Sequence, residues 1–193
     1  GIQLALAFCK DSYFENKSIA IIEPDTKSTN DKTWCFWEKG VGQWDSLLLH
    51  HWEKGTFYGP QKDISMDFGG YLYKMLPSIN FYDYAKAEIA KNTNISWIKD
   101  RVIKVEGNEI KGAQQTYRSA CVFDSRVPED FEKDAKSLTL LQPFKGWLIE
   151  TEEDHFEPES FTFMDYRLGH ENKTCFTYVL PISKRKALVE FTF

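Results

Sequence analysis

The feature that most confines this chain is the run Ser18-Ile19-Ala20-Ile21-Ile22-Glu23, which is apolar without alternation, ends on an acid and is broken by Pro24-Asp25. A strand with one face in water alternates polar and apolar residues. A short run without alternation suits a parallel strand covered on both faces. Parallel strands need helical crossovers, and the sequence supplies helical spacing before the run, over residues 1–13, and again over 78–91 (Ile79, Phe81, Tyr82, Tyr84, Ala85, Ile89). The chain is therefore expected to contain an α/β layer.

Strand-like runs at 95–98, 101–105 and 117–124 continue that layer, whereas Gly70-Tyr71-Leu72-Tyr73-Lys74-Met75 interrupts it. Beyond residue 138 the texture is β alone: Leu138–Thr151, Phe161–Tyr166, Thr174–Ile182 and Ala187–Phe193. The expected organisation is a nucleotide-type layer over 1–60, an excursion into a second sheet over 61–77, the layer resumed over 78–137, and an antiparallel sheet over 138–193. Both ends read as cut, the first inside a helix and the last inside a strand. The chain is thus expected to be a fragment lacking its C-terminal half.

Composition narrows the function. Lys and Arg number 24 against 29 Asp and Glu, a net charge of −5, which argues against a protein built to grip nucleic-acid phosphates. No apolar run approaches the ~18 residues of a membrane-spanning helix. Aromatic residues make up 16% of the chain, enough flat apolar surface for both a core and a pocket. Cys9, Cys35, Cys121 and Cys175 share no metal-ligand spacing and sit in apolar stretches, so reduced, buried thiols of an intracellular protein are expected. His50 and His51 are adjacent, and His155 and His170 stand alone; no metal is predicted.

A dinucleotide site needs a glycine turn, a helix, and a second strand ending in an acid that meets a ribose hydroxyl about 20 residues after the glycines. Glu23 ends the strand 22 residues after Gly1, with a helix between. Gly1 is then the last glycine of a turn whose first residues are absent. The same pattern also fits a solvated acid at a strand end.

Five segments carry a resemblance: Asn30-Asp31-Lys32-Thr33-Trp34-Cys35-Phe36-Trp37, Phe123-Asp124-Ser125-Arg126, Leu141-Gln142-Pro143-Phe144-Lys145-Gly146-Trp147, Phe163-Met164-Asp165-Tyr166-Arg167, and the pair Tyr178-Val179-Leu180-Pro181 with Ala187-Leu188-Val189-Glu190-Phe191-Thr192. In this order they resemble the motifs of bacterial lycopene β-cyclases, with Lys32 where the family has Arg. The resemblance implies an FAD/NAD(P)-binding Rossmann-like layer, here partial, with an antiparallel substrate sheet. It also implies FAD in its reduced form, NADPH as reductant, and lycopene as substrate. Localisation is expected to be cytoplasmic with peripheral contact to the inner membrane, with no nucleic-acid partner; the oligomeric state is left open. The implied reaction protonates the linear end of lycopene, closes a six-membered ring and releases a proton, without net redox change.

Protonating an isolated alkene calls for a carboxylic acid kept neutral by an apolar pocket. Glu190 lies in an apolar strand, sharing a face with Leu188 and Thr192. The family's acid falls on it; strand pattern alone allows a solvent-facing Glu. Gly1, Glu23, Lys32, Val102 and Asp124 are the expected cofactor contacts, Lys32 through a phosphate and Val102 through its backbone. Lys32 also reads as a solvated loop residue, and Asp124 as the cap of a turn after a buried strand, Cys121-Val122-Phe123. Trp34, Trp37, Asp165 and Arg167 are the expected substrate-pocket residues, though aromatic runs also wedge layers and Asp165 with Arg167 also suits structural ion pairing. Leu47-Leu48-Leu49-His50-His51-Trp52 offers an apolar patch for a bilayer. Two other functions fit the same fold: a flavin-dependent monooxygenase, and an inactive carotenoid- or flavin-binding relative.

Overall fold

The computed structural model describes residues 1–127, 131, 137–170 and 173–193. It divides into two compact units, residues 1–32 with 78–134 and residues 33–77 with 135–193.

In the first unit, α1 (Ile2–Phe8) leads through a 3-10 turn at Ser12–Phe14 to β1 (Ile19–Ile22). The helix expected over 1–13 thus stops early, because Asp11 accepts a hydrogen bond from the Tyr13 amide (3.0 Å) and starts the turn instead. β1 pairs in parallel with β7 (Ile95–Ile98), Ile19 opposite Ile95 and Ile22 opposite Ile98. The crossover helix α2 (Ser78–Ile89) buries Phe81, Tyr82, Ala85 and Ile89. A meander of β8 (Val102–Glu106), β9 (Glu109–Gly112) and β10 (Thr116–Arg118) follows. Buried Asp100 ties it down by accepting from the amides of Arg101, Ala113 and Gln114 and from the Tyr117 hydroxyl (2.7 Å). Burial works against the Asp100 carboxylate, yet these donors hold its pKa below the ordinary value.

The strand expected over 117–124 ends at Arg118, and Cys121-Val122-Phe123 is not a buried strand. Cys121 is exposed and Phe123 is 67% exposed, with no described strand beside them to pair with. The thiol expectation needs the same correction: Cys175 is buried, but Cys9 and Cys35 are only half-buried.

The second unit begins at Thr33 rather than at 61, because β2 (Thr33–Lys39) pairs along its whole length with β6 (Tyr71–Pro77). With β3 (His50–Trp52) they form an antiparallel sheet ordered β2-β6-β3. The larger sheet adds β4 (Lys54–Tyr58), β5 (Asp63–Asp67), β11 (Phe144–Glu150), β12 (Ser160–Asp165), β13 (Phe176–Ser183) and β14 (Lys186–Thr192), ordered β11-β14-β13-β12-β4-β5. It is antiparallel except at β12 and β4. Trp52, Met75, Phe161 and Leu180 form the core between the sheets, flanked by Cys35, Phe68, Tyr73, Phe163 and Leu188. The ring of Tyr73 stacks on Phe161 at 4.7 Å and 14°. Trp52 is 1% exposed and its Nε1 donates to the Pro181 carbonyl (3.1 Å). The tract 47–52 is therefore a turn and a core strand, not a free apolar patch.

On the other face of β6, Lys74 is wholly buried. Its Nζ donates to Asp45 Oδ1 (2.6 Å), Glu38 Oε2 (2.9 Å) and the Gly40 carbonyl (2.8 Å). Burial draws the ammonium pKa down, but the two carboxylates outweigh it and hold the group above its ordinary value. Lys74→Met is expected to destabilise the protein by about 3 kcal/mol, since both acids lose their cation. Adding Asp45→Asn should recover part of that loss; urea denaturation of the two variants measures both effects.

Candidate active site

The cofactor residues expected from sequence lie in the first unit and are partly engaged. Gly1 precedes α1, its carbonyl accepting from the Ala5 amide (3.1 Å), and a Cβ there would meet nothing within 4 Å. Glu23 directly follows β1, its amide donating to the Ile98 carbonyl (3.0 Å). One of its carboxylate oxygens takes the Asp25 amide (3.1 Å) and lies 3.7 Å from Lys27 Nζ; the second oxygen has no partner among the described residues. A helix, a parallel strand after it, and an acid at that strand's end fit the adenosine side of a dinucleotide.

Asp124 and Arg126 form a bidentate pair (2.9 and 2.8 Å). Arg126 Nη1 also donates to the carbonyls of Val102 (3.0 Å) and Ile103 (3.2 Å). The Val102 carbonyl thus already carries one hydrogen bond from the chain, and Asp124 holds the arginine that makes it. Lys32 behaves differently. Its side chain is 59% exposed, 4.0 Å from Asp31, while its amide donates to Ser78 Oγ (3.0 Å).

Trp34 and Trp37 are not pocket partners. Three residues apart on β2, they point to opposite faces. Trp37 packs on Phe68 (4.6 Å), Tyr73 (4.7 Å) and Phe163 (5.9 Å); Trp34 pairs opposite Leu76, on the face of Lys74. Asp165 and Arg167 bind each other at the end of β12 (2.9 and 2.7 Å), and the guanidinium lies over the Tyr58 ring at 4.1 Å. Asp165 is in register with Thr177, itself opposite Phe191, so it occupies the sheet face turned away from Glu190.

Glu190 sits mid-strand on β14, flanked directly by Tyr178 on β13 and Gly146 on β11. A Cβ at Gly146 would come within 3.4 Å of Glu190 Oε2, so the missing side chain leaves the carboxyl its room. Along the same face Leu188 and Leu180 join the core, which places the acid beside the aromatic layer between the sheets. Burial alone pushes the Glu190 pKa up, with no hydrogen bond or cation contributing. By contrast Asp31, Asp45, Asp100, Asp124, Asp154 and Asp165 are all held below their usual range. Glu190 is the one carboxylate among the described residues to move upward.

Its charge is felt by Tyr178, Tyr73 and Cys35. Desolvation, with the Glu190 charge adding, raises both tyrosines, and it pushes the Cys35 thiol up to about 11; Cys35 and Tyr73 share a hydrogen bond. All three are protonated near neutral pH, so the acid faces neutral hydroxyls, a thiol and rings. Tyr178, Tyr73 and Gly146 escape a reading of single motifs. The short Lys184-Arg185 turn signals that the last two strands pair, but the bulge beside Pro181 hides that Tyr178 is the residue opposite Glu190.

The family model described as lycopene cyclase protein matches residues 1–193. No curated protein matches the chain. Among solved structures it resembles a variant of PqsL from P. aeruginosa (11% identity, TM-score 0.69, all of this chain and 57% of that one). It also resembles the tetrameric form of 2-methyl-3-hydroxypyridine-5-carboxylic acid oxygenase (9%, 0.68, all of this chain and 55% of that one). A third is a geranylgeranyl bacteriochlorophyll reductase-like protein from Thermoplasma acidophilum (17%, 0.63, all of this chain and 53% of that one). These likenesses show a shared fold. The chain spans a little over half the length of each structure.

An acid whose pKa is raised on folding favours the folded state most below its unfolded pKa and loses that advantage as pH climbs through the folded value. Glu190→Gln is therefore expected to raise Tm by about 1–3 °C at pH 7 and to make no difference near pH 4. Paired thermal melts at the two pH values check this.

Proposed function

Because the chain belongs to the lycopene cyclase family, we propose that it carries the acid and the polyene-facing surface of a lycopene cyclase. The observation that carries this reading is Glu190, a half-buried carboxyl whose pKa is raised by burial alone beside an aromatic layer. Its O–H donates the proton to the terminal double bond of lycopene. The next alkene's electron pair then closes a six-membered ring on the cationic carbon. Loss of a ring proton to the carboxylate gives the β-ionone ring and restores the acid. Atoms and electrons balance within substrate and Glu190, so nothing is oxidised.

The surroundings fit a cation. Trp37, Tyr73 and Phe163 present ring faces and edges, and a desolvated ring stabilises a nearby positive charge by about 2 kcal/mol. The apolar face excludes water that would quench the cation to an alcohol. Gly1 with the start of α1, Glu23, Val102 and Asp124 would hold FAD, and PqsL is named as a probable FAD-dependent monooxygenase. Reduced FAD, when bound, would supply negative charge for the developing cation, with NADPH keeping it reduced. Access to a water-insoluble substrate calls for peripheral contact with the inner membrane from the cytoplasm. Exposed Phe144 and Leu148, which share one face of β11, offer an apolar surface for it.

A flavin monooxygenase is the second reading, favoured by the fold shared with PqsL and the pyridine-carboxylate oxygenase. The two differ in stoichiometry. Full-length protein with pre-reduced FAD is expected to cyclise lycopene without oxygen, and Glu190→Gln should lower turnover by about 10³-fold while leaving flavin absorbance intact. A strict oxygen requirement, or an active Glu190→Gln variant, would defeat the cyclase reading.

A further inference from the structure

We infer that Thr192 is a positioning residue for the Glu190 carboxyl, an inference that rests on the proton-donor reading of Glu190. Thr192 is 3% exposed, yet its hydroxyl has no hydrogen-bond partner among the described residues. Thr177 is the other buried side chain in that state. A buried hydroxyl left unpaired is a cost that a valine of the same shape would not carry.

Strand periodicity separates the two threonines. Thr192 lies two residues beyond Glu190 on β14 and so shares its face, at a strand spacing of about 7 Å. Thr177 stands opposite Phe191 and faces the other way. Phe144 and Phe176 flank Thr192 on the neighbouring strands, and neither side chain can pair with a hydroxyl as an ordinary donor or acceptor. Besides Tyr178 across from the acid, the face thus holds one carboxyl and one buried hydroxyl on the same strand, neither with a hydrogen-bond partner among the described residues.

The chemistry gives the pair a use. A hydroxyl donates to the carbonyl oxygen of a neutral carboxyl, leaving the acid's O–H free for the alkene, and donates more strongly to a carboxylate. In the cyclisation Glu190 is each of these in turn, acid before proton transfer and carboxylate until the ring proton returns. Rotation of the Glu190 side chain toward Thr192 gives one partner that serves both forms. Thr192 keeps its own proton throughout; it aims the carboxyl and steadies its charge.

The test uses full-length protein loaded with reduced FAD. Thr192→Val is expected to lower kcat about tenfold or more, with KM within about twofold. The alkaline limb of its pH–rate profile should move upward, because the carboxylate has lost a donor. Its Tm should rise by about 2 °C or more, because the unpaired hydroxyl is gone. Thr192→Ser, which keeps the hydroxyl, should hold kcat within about threefold of the parent. Thr177→Val should gain stability and leave kcat unchanged. A Thr192→Val protein that is fully active, with an unmoved pH profile, overturns the inference even if it melts higher. An active Glu190→Gln variant would instead remove the reading of Glu190 itself. An inactive Glu190→Gln beside a fully active Thr192→Val defeats the role of Thr192 alone.

Discussion

Ser78 is the residue on which the arrangement turns. It is wholly buried at the start of α2, where its amide donates to the Lys32 carbonyl (2.9 Å) and its hydroxyl accepts from the Lys32 amide (3.0 Å). The same hydroxyl lies 2.9 Å from Asp31 Oδ1, which also takes the Tyr82 hydroxyl (3.0 Å). Asn30 accepts from the Ile79 amide (3.3 Å) and so serves the helix N-terminus. The chain leaves the first unit at Lys32 and re-enters it at Ser78, and these bonds clamp exit to entry. The next rung is Thr33 opposite Pro77, from which the β2–β6 ladder runs on without a slip. The clasp thereby sets a register. Slipping β2 by one residue would turn Trp34 and Phe36 toward the larger sheet and Cys35 and Trp37 away from it, while Tyr73 on β6 kept its place.

That register decides what Glu190 meets. Cys35 and Tyr73 are the groups of the smaller sheet that feel its charge, and the β2–β6 register puts both on the same face. From the larger sheet come Tyr178 and the empty side of Gly146. An acid in the middle of a three-strand ladder has a fixed Cα and few rotamers. A greasy neighbourhood then acts on one defined carboxyl rather than on a wandering loop residue. The ion pairs that the sequence brought to notice, Asp124 with Arg126 and Asp165 with Arg167, are satisfied internally and stay ionised. Each braces its own loop, whereas Glu190 has no such partner among the described residues.

Much of this was legible in the residues. The unbroken apolar run at 18–23 is the parallel strand expected but is not covered on both faces, since Ala20 is exposed and its isoleucines only half-buried; α2, β7 and the late β texture followed from periodicity. Excursion boundaries did not. Trp34-Cys35-Phe36-Trp37 is aromatic on both sides, so its pattern could not say which ring faces which sheet, and it could not show that the strand belongs with β6. The strand expected through Phe123 ends at Arg118, because β propensity alone does not extend a ladder without a paired strand. Asp31 and Asn30 lay inside a recognised motif, yet their capping partner is 47 residues away for Ser78 and Asp31. Local pattern carries no information about such pairings.

The face of Glu190 shows the same limit at its sharpest. Ser183 opposes Lys186, and a regular hairpin counted back from that pair would set Val179 nearest to Glu190 on one side and Phe191 opposite Tyr178. Instead the register shifts between Pro181 and Ser183, so that Pro181 opposes Ala187 and Tyr178 opposes Glu190. The irregularity falls beside Pro181, which has no amide to give a ladder and whose carbonyl takes the Trp52 indole. A proline in a central strand is a local inconsistency, and natural sequences tolerate those chiefly where function gains from them. Here the gain is a tyrosine, rather than an aliphatic residue, across from the acid. The bulge that breaks the sheet's regularity is what composes the site.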